Sequence, residues 1–186
     1  TWAAIRRALN ERRQEQFITL NEYFELCKKN SLPDRESALI LSAVLHQVGD
    51  CLHYQKNELL KQYIILKNEW ATDAVYKILE DKIVAENNCG FFDQTDLARI
   101  WNSPEYSGMR PQLLELMKLF KLAYQLPLKD KFVTPPLLPP ARPADFEWPA
   151  EPSLELYIEY EFLPKALLTQ FIVILHTDIA KDRKLE

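Results

Sequence analysis

Cys51-Leu-His-Tyr-Gln55, a short polar connection, Tyr63-Ile-Ile-Leu-Lys67 and then Asn68-Glu-Trp-Ala-Thr-Asp-Ala-Val-Tyr-Lys-Ile-Leu-Glu-Asp81 is the stretch on which the fold turns. Tyr63 to Leu66 is a continuous apolar, β-branched run, the pattern of a strand buried on both faces, and Cys51 to Gln55 is placed to pair with it. A connection of seven residues between them makes a hairpin. Asn68 then stands where an N-cap belongs, and Trp70, Ala74 and Ile78 with Ala71, Val75 and Leu79 recur at helical spacing. The expected helix therefore has a buried side led by Trp70.

Upstream, residues 1–16 are charged and helix-prone, with Trp2, Ile5 and Leu9 on one side. Arg7 and Glu11 stand four apart and can pair, which favours a solvated face over a nucleic-acid patch. Thr19 and Glu22 have capping-box spacing ahead of Tyr23, Phe24 and Leu26. A second helix is expected from Asp34 to about Val48, with Leu41, Val44, Leu45 and Val48 as its apolar stripe and Gly49 at the C-terminal stop.

Downstream, Ile83-Val84 and Phe91-Phe92 flank an Asn-Asn-Cys-Gly turn and each reads as a short strand. Asp93 is placed to cap a short helix ending near Trp101, and Pro111 opens another that continues to about Ala123. Tyr124 to Leu128 and Phe132 to Thr134 flank Lys-Asp and suit a second hairpin. This order, over about residues 69–138, is that of a winged helix. Its third helix carries Leu113, Leu114, Leu116, Met117, Leu119, Phe120 and Leu122, which leaves few donors for base edges and argues against DNA reading.

Residues 135–152 hold seven prolines and no glycine, an extended and semi-rigid connector. After it, Leu154, Leu156, Ile158, Tyr160 and Phe162 alternate with Glu155, Tyr157, Glu159 and Glu161, the pattern of a strand with one apolar face. Such a strand has open edges, so it docks on the winged-helix-like body of its own chain or pairs with a second copy, and the reach of the connector makes the second copy the expectation. Pro164 then starts a helix with Leu168, Phe171, Ile172 and Leu175 on one side.

The expected class is α+β and mainly helical, with a winged-helix-like core of short antiparallel strands followed by the start of a second α/β subdomain. At 186 residues, 47% hydrophobic and 27% charged, the chain has ordinary globular composition. A net charge of -4 argues against a surface broadly attractive to nucleic acid or anionic lipid. No apolar run reaches the length of a membrane span, the longest compact one being Phe171 to Leu175. The odd count of isolated cysteines, Cys27, Cys51 and Cys89, suits a reducing cytoplasm. The first residue, Thr1, is not methionine and no signal-like segment follows it, so the chain is expected to be a piece of something longer.

No catalytic signature is present. Gly49, Gly90 and Gly108 are the only glycines and stand far apart, so no loop can converge backbone N–H groups on a phosphate. His46, His53 and His176 lack metal-ligand spacing and read as structural or surface histidines. No serine elbow, activated cysteine or carboxylate pair stands out. An unrecognised enzyme would need perturbed ionisable groups clustered in a pocket.

The segments Leu52-His-Tyr-Gln55 and Tyr63 to Tyr76, with Trp101, the Leu113 to Phe120 run and Tyr160-Glu-Phe-Leu-Pro-Lys165, resemble the COR domain of Roco proteins, as in leucine-rich-repeat kinases and prokaryotic Roco proteins. The positions closest to the family pattern are Leu52, His53, Tyr54, Gln55, Trp70 and Trp101 with Tyr160, Phe162, Leu163 and Pro164. The resemblance implies a non-catalytic regulatory and dimerisation module that follows a Ras-like GTPase domain, Roc. It further implies an N-terminal COR subdomain over 1–138 (helices over 1–48, winged-helix-like part over 51–138), a connector over 139–152 and the beginning of the C-terminal subdomain over 153–186. By the same resemblance GTP and Mg are bound by Roc and no cofactor by this chain. The implied partners are the Roc domain of the same protein, at an interface including Leu156, Ile158, Tyr160, Phe162, Leu163 and Pro164, and a second copy in a homodimer. The competing reading is a winged-helix nucleic-acid or other interaction domain.

Overall fold

A computed structural model describes residues 1–127, 130–139 and 157–178. Two compact units emerge, one formed by Thr1–Lys77 with Trp101–Leu116, the other by Ile78–Ile100 with Met117–Glu186.

The first unit opens with α1 (Trp2–Glu11), β1 (Phe17–Thr19), α2 (Leu20–Lys29) and α3 (Arg35–Gln47). Helix starts follow local chemistry. Thr19 Oγ1 accepts the Glu22 N–H at 3.3 Å while Glu22 Oε2 takes the Thr19 N–H at 2.8 Å, the expected capping box. Asp34 Oδ2 accepts the Ser37 N–H at 2.8 Å and starts α3. Gly49, at φ +79°, follows the end of α3 in the left-handed region that a side chain disfavours.

The buried strand is β2 (Tyr63–Ile65), but its ladder partner is β1, with Phe17 opposite Ile65 and Thr19 opposite Tyr63. The expected 51–55 strand is reduced to a single antiparallel bridge, Leu52 to Ile65, whose two N–H···O bonds are each 2.9 Å. A two-stranded ribbon thus seals an 11-residue core of Ile5, Leu9, Ile18, Tyr23, Cys27, Ala38, Leu41, Leu45, Cys51, Ile64 and Leu66. Val44 and Val48, expected in the α3 stripe, are exposed; Ala38 and Ser42 take the inner face beside Leu41 and Leu45. Arg6 Nε lies 2.6 Å from Asp50 Oδ2, and Arg12 forks onto Glu15 at 2.6 Å, where an Arg7–Glu11 pair was expected.

Helix α4 (Asn68–Leu79) begins at Asn68 itself rather than after it, and Asn68 Nδ2 donates to Gly49 O at 3.1 Å instead of capping. Its inner row is Trp70, Ala71, Ala74, Val75 and Ile78, as the spacing predicts, with Leu79 half-buried. The unit closes with the short α6 (Pro104–Ser107) and residues 110–116 of α7 (Arg110–Leu119).

In the second unit Ile83–Asn87 forms one π-helical turn where a strand was expected. Its geometry has a local cause: Asp81 Oδ1 accepts the Val84 N–H at 3.0 Å, fixing the chain in a turn. β3 (Phe91–Asp93) follows, and Asp93 Oδ1 takes the Thr95 N–H at 2.8 Å to start α5 (Gln94–Ile100). β4 (Tyr124–Gln125) and β5 (Lys131–Val133) make the expected hairpin, and the sheet order is β3-β5-β4, all antiparallel. α7 stops at Leu119, four residues short of the expected end, with Lys121 at φ +58° turning the chain.

A 3-10 turn, Pro135–Leu137, ends the described part of the proline-rich stretch. Residues 140–152 of the connector, and Leu154 and Leu156 of the expected strand, lie outside the described residues. Residues 157–163 form no strand; α8 (Lys165–Leu175) then starts after Pro164. Its buried residue is Val173, with Ile172 and Leu175 half-buried, whereas Leu168 and Phe171, expected on the inner side, are exposed.

Candidate interaction surface and the motif core

The residues singled out in the sequence divide into buried and half-buried positions in the first unit and an exposed segment in the second. In the first unit Leu52 is half-buried at the bridge to Ile65, which presents His53 toward α3. His53 is 3% exposed; its Nδ1 lies 2.8 Å from Ser42 Oγ and its Nε2 3.1 Å from the Lys61 carbonyl. A carbonyl only accepts, so Nε2 carries a proton. In the uncharged ring Nδ1 is then the acceptor and the Ser42 hydroxyl its donor. Gln55 Nε2 donates to Leu39 O at 2.8 Å and to Ser42 Oγ at 3.0 Å, so the loop after residue 52 is sewn to α3 at three polar points. Burial, with a smaller contribution from the charge of His46, holds His53 below the usual histidine pKa. Tyr54 meets the His46 ring edge-on at 5.0 Å.

Trp70 is 1% exposed, stacked on Tyr106 at 6.0 Å between ring centroids and tilted against Phe17 at 5.7 Å. Trp101 is fully buried and donates Nε1–H to Ala74 O at 2.9 Å. These positions hold a core together; none presents a reactive group to solvent. Burial raises the thiol pKa of Cys27 and pushes that of Cys51 up to about 12, far from the thiolate a nucleophile needs. Among the described residues no three His, Cys, Asp or Glu side chains are grouped to hold a metal ion. Nor, among them, is any helix long and apolar enough to cross a membrane.

The exposed segment is different in kind. Ile158 (62% exposed), Tyr160 (49%), Phe162 (80%) and Leu163 (57%) face solvent, ending at Pro164, the N-cap of α8. Leu156, the remaining member of the expected interface, lies outside the described residues. The exposed row continues onto α8 through Leu167, Leu168, Phe171 and Ile174, which the sequence reading did not assign to a surface. α8 is apolar around most of its circumference, so periodicity gave no sign of which side is open. The inner side of α8 is fixed within the unit: His176 stacks on Tyr124 at 4.6 Å, and His176 Nδ1 lies 2.7 Å from the Val173 carbonyl.

The chain is similar to known proteins over nearly its whole length. The family model described as "C-terminal of Roc, COR-A domain" matches residues 1–138. A Roc-COR-CHAT protease of Runella zeae is 28% identical over 185 residues, covering 97% of this chain and 19% of that protein. The probable serine/threonine-protein kinase pats1 of Dictyostelium discoideum is 28% identical over 170 residues, covering 84% of this chain and 5% of its own. Among solved structures, that of Methanosarcina barkeri Roco2 RocCORdC bound to GDP matches with a TM-score of 0.64 and 27% identity, over 74% of this chain and 43% of that one. The chain thus spans at most a fifth of the length of these two relatives.

Proposed function

This chain belongs to the COR-A family, the domain C-terminal of Roc, and from that membership we propose that it is a regulatory module that couples a preceding Ras-like GTPase domain to the rest of its protein. The observation that carries the proposal is the exposed apolar row from Ile158 to Leu163, continued on α8. Burying one aliphatic or aromatic side chain is worth about 1.5 to 3 kcal/mol. We read a row of them ahead of a helix start as a docking surface, and take the Roc domain as its partner, as the resemblance implies. GTP and Mg belong to Roc, and this chain supplies contact and no catalytic group. Residues 1–138 constitute the first subdomain, and 153–186 begin a second through which the whole protein forms a homodimer. The location is the cytoplasm.

Within the first subdomain we read the β3-β5-β4 sheet with α5 and α7 as a winged helix used for protein contact. Element order and sheet order support that reading. Leu113, Leu114, Leu116 and Met117 of α7 are buried and Glu115 is bonded to Asn57 at 2.8 Å, which leaves the third helix poorly equipped to read bases. The test is Ile158→Ser with Phe162→Ser in the whole protein. GTP hydrolysis should change at least fivefold with the melting temperature unaltered; a wild-type rate would overturn the proposal.

A further inference from the structure

Between Tyr157 and Pro164 the charged residues are Glu159 and Glu161, both exposed and interleaved with the apolar side chains. In an extended chain Ile158, Tyr160 and Phe162 point to one side, and Tyr157, Glu159 and Glu161 to the other. A partner that covers the apolar side brings its edges close to two carboxylates. A carboxylate moved toward a low-dielectric contact loses hydration, and it regains that energy only from a cation or several donors.

The same charges disfavour self-pairing. In an antiparallel pair of two copies centred on Tyr160, the register that best joins the apolar side chains, Glu159 of each copy faces Glu161 of the other. Two such like-charge juxtapositions oppose association, since like charges directly across a ladder are destabilising. Nucleic acid and anionic membrane are excluded by the same sign.

Resting on the reading that this surface meets the GTPase domain, we propose that the 157–163 segment docks on a GTPase face that is apolar at its centre and rimmed by Lys or Arg opposite Glu159 and Glu161. The apolar row supplies attachment, and the two glutamates set orientation and reject a second copy.

The experiment uses the whole protein that carries this chain, with Phe162 replaced by the photoreactive p-benzoyl-phenylalanine. Irradiation should cross-link position 162 to the GTPase domain. Glu159→Lys with Glu161→Lys should cut the yield at least fivefold, while Glu159→Gln with Glu161→Gln should cut it about twofold and abolish its dependence on salt between about 50 and 500 mM. A cross-link to the GTPase domain whose yield ignores both double variants and salt would overturn the charged rim while leaving the docking reading intact. A cross-link to a second copy, or to residues after Leu175 of the same chain, would overturn both.

Discussion

The imidazole Nδ1 of His53 stands 2.8 Å from the hydroxyl of Ser42, eleven residues earlier on α3. Because Gln55 also donates to that hydroxyl and to Leu39 O, Ser42 is the hub joining α3 to the 53–61 loop. If His53 gains a proton, Nδ1–H can donate to Ser42 Oγ and the hydroxyl can turn to Leu39 O, 2.9 Å away, so neither ring nitrogen loses its partner. What opposes the charge is burial.

Ser42→Ala removes the acceptor that the charged ring needs, and bonds to charged groups are the stronger ones. His53 should therefore titrate lower still in the variant, and the fold should lose about 1 to 3 kcal/mol for the orphaned ring nitrogen. Imidazole NMR titration of both proteins checks this; an unchanged His53 titration would show that the hydroxyl is a bystander.

The pH dependence has a definite sign. The folded pKa of His53 lies below its unfolded value of about 6.5, so the unfolded chain takes up the proton first as pH falls. The contribution is fully present above about 6.5 and is lost as pH falls through the window between that value and the lower folded pKa. Denaturant midpoints at pH 7.5 and 5.5 should fall in wild type and fall less in His53→Gln. Asp81 and Glu22, held low chiefly by Arg99 and by Thr19, lose their contributions only under more acid conditions.

The two buried tryptophans should respond differently to the same substitution. Trp101 spends its N–H on Ala74 O, whereas Trp70 Nε1 has no hydrogen-bond partner among the described residues. Trp70→Ala should cost about 3 to 5 kcal/mol as a large core truncation. Trp101→Phe should cost about 1 kcal/mol more than Trp70→Phe, the net worth of one hydrogen bond. Equal losses in urea melts would contradict the assignment.

Gly90 and Gly49 share a left-handed backbone but not a neighbourhood. A Cβ on Gly90 would meet Thr134 O at 2.9 Å and Leu137 Cβ at 3.3 Å, while one on Gly49 meets nothing within 4 Å. Gly49→Ala should cost about 1 to 2 kcal/mol for φ alone, and Gly90→Ala a further 1 kcal/mol or more, on the order of an overpacking penalty. Comparable melting temperatures for the two variants would refute the close approach at Gly90.

Much of this architecture is written locally. Thr19 with Glu22, Asp34 and Asp93 announce three helix starts, and Gly49 a helix end, because each acts on backbone groups within three residues. Less legible were features set by distant partners. β1 is three residues long and shows no period, so Tyr63–Ile65 was paired with the nearer Cys51–Gln55. Ile83-Val84 has strand composition, but Asp81 bends it into a helical turn. Val44 and Val48 fit the α3 stripe, yet the hydroxyl of Ser42 is needed inside to meet His53. On α8 the apolar residues surround the helix, and packing within the unit, including His176 on Tyr124, fixes which side is inward. The sequence named the 156–164 segment as a contact candidate through its family resemblance, and its charge pattern acquired meaning once the exposure of 157–164 was known.

Coupling to a GTPase is the central claim, and hydrogen exchange of residues 157–163 in the whole protein addresses it most directly. The protein would be loaded first with GDP and then with a non-hydrolysable GTP analogue, with exchange of the Trp70 helix as the internal reference. The account predicts that the 157–163 amides change protection severalfold between the two nucleotide states while those of α4 do not. Identical exchange of the segment in both states would contradict it.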